Sequence, residues 1–215
     1  MTYLRAYLLL LGVATIALTV ATLLPLIDAP PTPGTPPPHL RSSLPHLDEV
    51  PQRVRVLGYS REEFGNGWST SSYRGCDTRE LMILAAVHGT HAGCEATGTT
   101  TDPYTGEPLN PSVDPVEIDH ILPLSGAWDL GAHHWDHARR RDFANDPVNL
   151  VVTSQAANQE KSDDLPTDWL PEHPATRCWY ARRLAEVAVS YQLPLPTADI
   201  GVMKRQCLLR EFPPR

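Results

Sequence analysis

The feature that most narrows the fold is a strand, insert, strand and helix in succession. Val116 to Leu122 (VEIDHIL) alternates side to side, the period of a strand with one buried face. Pro123 ends it, because proline cannot donate to a ladder. Asn149 to Val152 (NLVV) is a second short strand, and Thr153 or Ser154 is placed to cap a helix running to about Lys161. Between them, helical pieces are expected over Leu124 to Leu130, stopped by Gly131, and over His134 to Ala144, stopped by Asn145-Asp146-Pro147. This layout predicts an α+β fold with a core of short antiparallel strands surrounded by several helices.

The flanks add elements without changing that class. Asp77 and Glu80 have the spacing of a capping box and open a helix from Thr78 to Val87. Asp102 to Gly106 (DPYTG) reads as a turn between two short strands. A helix over Thr176 to Tyr191 has Cys178, Ala181, Leu184, Ala185 and Ala188 on one stripe, and a last helix is expected over Asp199 to Leu209.

The N-terminal part is not built to pack. Leu8 to Ile27 is an uncharged apolar run, so residues 1–28 read as a signal peptide or a membrane anchor. Residues 29–53 are proline-rich and read as an extended linker. Residues 54–215 are left as the folded domain, large enough to bury a core. A chain led by such a segment is expected outside the cell or anchored at the outer face of its membrane, touching the membrane only through that segment. Cys76, Cys94, Cys178 and Cys207 then read as disulfides. Three connectivities are open. Pairing Cys76 with Cys94 and Cys178 with Cys207 is preferred, because each pair is nearest in sequence and flanks a predicted helix. No Cys-x-x-Cys suggests zinc.

The chemistry concentrates at Asp119-His120 and Asn158. A carboxylate and an amide oxygen are hard ligands suited to Mg²⁺ or Mn²⁺. An imidazole beside them can act as general base toward water. That set fits hydrolysis of a phosphodiester. Strict alternation points Asp119 and His120 to opposite faces, so a shared site is expected to need a bulge or the strand's end there. Asn149 reads as a residue whose amide bridges backbone across the loop presenting His120. Glu117 shares the face of Asp119 as a candidate supporting acid. The net charge of −7 argues against tight nucleic-acid binding, since phosphate contacts need Lys and Arg. Lys161, Arg140 and Arg141 are the candidates for contacting substrate phosphate.

The residues VEIDHILPLS followed by NLVVTSQAANQEKSDDLP resemble, in order and spacing, the HNH motif of ββα-metal endonucleases, including the HNH domain of CRISPR effector nucleases. The wider stretch from Tyr59 to Cys207, with CDTRE, DPYTGEPL and RRRDFANDPVNL, is more similar still to secreted actinobacterial HNH proteins related to the nuclease part of GmrSD-type restriction enzymes. The resemblance implies a ββα-metal core. It carries His120, Asn149 and Asn158 over as catalytic positions and Asp119 and Asn158 as ligands of one divalent cation. It implies endonuclease activity on DNA, with RNA as a second substrate, and suggests no protein partner. The alternative is a non-catalytic extracellular binding module on the same scaffold.

Overall fold

The computed structural model describes Thr15 and residues 36–211, so the leader expected over 1–28 lies outside the described residues save Thr15. In chain order, the elements are α1 (Leu40–Ser43), β1 (Glu49–Val50), α2 (Thr78–Ala86), β2 (His88–Ala92), β3 (Glu95–Thr101), β4 (Pro108–Leu109) and β5 (Val116–His120). They continue with α3 (Leu124–Asp129), α4 (His137–Asn145), β6 (Leu150–Ser154), α5 (Gln155–Lys161), α6 (Arg177–Tyr191), β7 (Leu195–Pro196) and α7 (Thr197–Glu211). The protein is α+β.

Strands β5 and β6 form a two-stranded antiparallel ladder in which Val116 faces Ser154 and His120 faces Leu150. Every residue of β5 has a partner and the strand ends at His120, so of the two expected routes, a bulge or the strand's end, the second is present. Ser154 caps α5 by accepting from the Ala157 amide, and α5 packs on the ladder to complete a ββα unit. The two faces of the ladder bury different things. Val116 and Ile118 join Leu150, Val152 and Met82 in one apolar cluster, with Trp68 packed against it. Val151 belongs to the main core, which α6 and α7 dominate through Tyr180, Leu184, Met203 and their neighbours.

Two disulfides cross-link this arrangement. Cys76–Cys94 ties the start of α2 to the β2–β3 hairpin, and Cys178–Cys207 ties α6 to α7, with Cα–Cα distances of 5.5 and 4.8 Å. The capping box at Asp77 and Glu80 forms, with both side chains bonded to the opposite backbone amide. The hairpin itself was not anticipated, because His88 to Ala92 is exposed along its whole length and offers no apolar alternation to read.

The described part of the expected linker is not a tether. Leu40 is fully buried in the main core, and β1 pairs in parallel with β7. Arg53 bonds Asp129 and Asp163 at 2.7 Å each. Burying one leucine contributes about 1.5–3 kcal/mol toward the cost of ordering the segment. The packed boundary therefore lies N-terminal to the one composition suggested. Among the described residues, no helix is long and apolar enough to cross a membrane.

Candidate active site

Glu117 and Asp119 project from β5 toward α5, and His120 from the opposite face. Both sets nonetheless line one cavity of about 400 Å³, which also takes in Asn158, Arg61 and Arg79. A bulge is unnecessary because β5 pairs only with β6 among the described residues. The cavity wraps the free edge of the strand, where Arg79 donates to the Val116 carbonyl at 2.9 Å.

His120 is held in one orientation. Its Nε2 lies 2.9 Å from the Ala144 carbonyl, and the ring stacks on Trp68 with centroids 5.7 Å apart and planes 15° from parallel. A carbonyl can only accept, so Nε2 carries the hydrogen and Nδ1 keeps its lone pair. Burial lowers the imidazole pKa to about 3, with positive charge on Arg61 and Lys161 adding to the effect against the opposing Ala144 bond. The ring is therefore neutral through the physiological range.

Asp119 is buried in a polar cage. Tyr104 donates its hydroxyl to Oδ2 at 2.5 Å, and the Lys161 ammonium lies 3.1 Å from Oδ1 and 2.9 Å from Oδ2. Burial raises the carboxyl's pKa, and Lys161 and Tyr104 pull it back. Burial also holds the Tyr104 phenol far above its ordinary value, so it stays a donor. The DPYTG turn delivers that hydroxyl. Asp102 accepts from Thr153 Oγ1 and the Ser154 amide at 2.8 and 2.9 Å, which ties the turn to the end of β6.

Asn158 donates Nδ2 to Glu117 at 2.6 Å, and Gln155 holds the other Glu117 oxygen at 3.1 Å. The Asn158 amide oxygen remains for another partner. A carboxylate pair offers about eight acceptor positions, of which three on Asp119 and two on Glu117 are taken by these bonds. Two carboxylates and an amide oxygen with spare lone pairs around one cavity fit a hard divalent cation.

The other expected site residues lie elsewhere. Asn149 is fully buried and does not line the cavity. It accepts from the Leu122 amide at 2.8 Å and donates to the Leu122 carbonyl at 3.3 Å, bracing the chain just past His120. Lys161 was expected to meet substrate phosphate, but it is fully buried, bonded to Asp119 and to the His120 carbonyl. Its length lets α5 cover the end of β5 and neutralise a carboxylate at once. Arg140 is buried as well, spent on Glu63 and the Trp135 carbonyl, and Arg141 is exposed on α4 away from the cavity lining. Arg61 and Arg79 take the cationic places in the cavity. Arg79 lies in the helix read from the capping box and Arg61 in the stretch from Tyr59, and neither spacing tells which side chains turn to the cavity.

A ββα unit whose two carboxylates, amide and neutral imidazole share one cavity defines the class of protein with an HNH-type site. The chain belongs to the family of GmrSD restriction endonucleases, C-terminal domain, whose family model matches residues 77–192. It is also 35% identical over 184 residues to an uncharacterized secreted protein of Arthroderma benhamiae, a match covering 80% of this chain and 87% of that protein. No solved structure matches the chain.

Proposed function

We propose that this chain is a secreted, divalent-metal-dependent endonuclease that hydrolyses phosphodiester bonds of nucleic acid, DNA foremost. The observation that carries the reading is His120, fixed by Ala144 and Trp68 with Nδ1 free, in one cavity with Glu117, Asp119 and Asn158. Family membership supports nuclease chemistry. The secreted relative and the two disulfides support an oxidising location.

The residues divide the work. His120 Nδ1 takes a proton from the attacking water, a task for which a neutral imidazole is suited. Asp119 and the Asn158 amide oxygen would hold Mg²⁺ or Mn²⁺, with Glu117 orienting the Asn158 amide. When bound, the cation supplies charge neutralisation at the phosphoryl oxygens and at the leaving oxygen. Lys161 keeps Asp119 ionised and in place. Arg61 and Arg79 meet the phosphate at the cavity.

The test is cleavage of plasmid and oligonucleotide by the purified protein with Mg²⁺ or Mn²⁺, against the same reaction in EDTA. Cleavage should vanish with chelation, and His120→Ala should reduce it roughly 10²–10⁴-fold, the usual contribution of a general base. Equal rates for wild type and His120→Ala would refute the reading.

A further inference from the structure

A second cavity, about 530 Å³, opens beside the reaction centre. The two share Tyr59, Ser125, Ser162 and Asp163 as lining, so they form one continuous trough. The character of the trough changes along its length. Near His120 it is lined by charge. In the second cavity, the carboxylates Asp129 and Asp163 are both bonded to Arg53 at 2.7 Å, and Arg55 lies 3.6 Å from Asp163, so two carboxylates face two guanidiniums. Its lip is apolar and open: Leu57 is 90% exposed and Tyr59 39%. Tyr59 is set edge-on against Trp128, its centroid 6.2 Å away, which fixes a ring at the junction of the cavities.

Duplex nucleic acid presents phosphates, sugars and base edges but not base faces, and a protein grips it chiefly with Lys and Arg. Of the arginine run, only Arg141 is exposed without a side-chain partner among the described residues, and it lies away from the lining of either cavity. Arg140 is buried on Glu63, and Arg139 lies over Trp135, 4.6 Å from its ring centroid. An exposed leucine and a fixed tyrosine next to a phosphodiester site suit the faces of bases, which only an unpaired strand offers. Arg55, 79% exposed at its side chain, lies 3.6 Å from Asp163 in the same cavity, an exposed ion pair weak enough to exchange for the backbone phosphate of such a strand.

We propose that this second cavity is a subsite for unpaired bases and that the substrate is single-stranded nucleic acid. The proposal rests on the nuclease reading of the first cavity and names the form of substrate it takes.

The experiment measures binding apart from cleavage. Fluorescence anisotropy of the His120→Ala protein in Mg²⁺ is recorded with a labelled single-stranded oligonucleotide and with the duplex of the same sequence. The single strand should bind about tenfold more tightly, and Leu57→Asp in the same background should weaken it about tenfold, the scale of one stacked base, while duplex binding stays within about twofold. Tyr59→Ala should act in the same direction. Leu57→Asp is the safer variant because that side chain is solvent-exposed. Equal affinity for the two forms overturns the proposal, as does a Leu57→Asp protein that binds the single strand like its parent. So does a wild-type dimer that Leu57→Asp converts to monomer in size-exclusion chromatography, since the lip would then be a self-association surface. Wild-type protein that cleaves duplex as fast as single strand rejects this proposal and leaves the nuclease reading standing. Selective single-strand binding without cleavage by wild type rejects the nuclease reading and keeps the subsite.

Discussion

Asn149 bonds both polar groups of the Leu122 backbone with its one amide and does not line the cavity. Asn149→Ala leaves two buried backbone groups without partners, at about 1–3 kcal/mol each. The melting temperature should fall, and cleavage should fall with it because the chain after His120 loses its brace. A variant as stable as wild type would contradict the bracing role. Lys161 makes a sharper case. Lys161→Met removes the partner of a buried carboxylate, which costs about 3–5 kcal/mol in comparable pairs. Urea unfolding should show that loss, whereas a surface phosphate contact would leave stability nearly unchanged. At this scale the sequence was legible where a residue sat inside an ordered motif. Asp119, His120 and Asn158, singled out in the sequence, line one cavity. Lys161 could not be assigned, since a lysine three positions past Asn158 has the same helix spacing whether its ammonium meets solvent or bends over the end of β5.

Among the elements, the described end of the proline-rich segment is where composition misled most. Proline density argued for a tether, yet Leu40 and the β1–β7 pairing draw residues 36–53 into the fold. A protein beginning at residue 54, the boundary that composition suggests, should be less stable than one beginning at residue 36 by at least the about 1.5–3 kcal/mol of one buried leucine. Thermal melts of the two would show it, and coincident curves would restore the tether. The disulfide between α6 and α7 should matter comparably. Closing a loop of 29 residues removes about 3–4 kcal/mol of unfolded-state entropy, so the Cys178→Ala, Cys207→Ala double variant should lose stability on that order. The strands and helices of the ββα unit, by contrast, fell close to where periodicity and caps placed them, because a period-2 run ended by proline and a serine-capped helix are local signals.

For the molecule as a whole, Arg53 ties the N-terminal segment to both the α3 end and the α5 end through Asp129 and Asp163. Burial raises the Asp163 carboxyl, but hydrogen bonds from Arg53 and Ser125 outweigh it and hold the pKa below the ordinary 3.8. A carboxyl depressed on folding contributes stability that is complete above its unfolded value and lost as pH falls through its folded one. Acid titration of stability from pH 6 downward should therefore show an extra loss below about pH 4 in wild type that is missing from Asp163→Asn. Parallel curves would show the clamp to be worth nothing. Legible in the sequence alone were the α+β class, the ββα order and the cysteine pairing preferred on proximity. The class and the order of elements rest on periodicity and caps, which are local, and the pairing on which cysteines lie nearest in sequence. Long-range packing settled which charges are spent and which are available. Lys161 and Arg140 are buried against acids, Arg61 and Arg79 reach the cavity, and β5 presents two faces to one site around its free edge. Those outcomes depend on distances between residues far apart in sequence, and electrostatic pairing is decided by distance and burial, neither of which periodicity encodes.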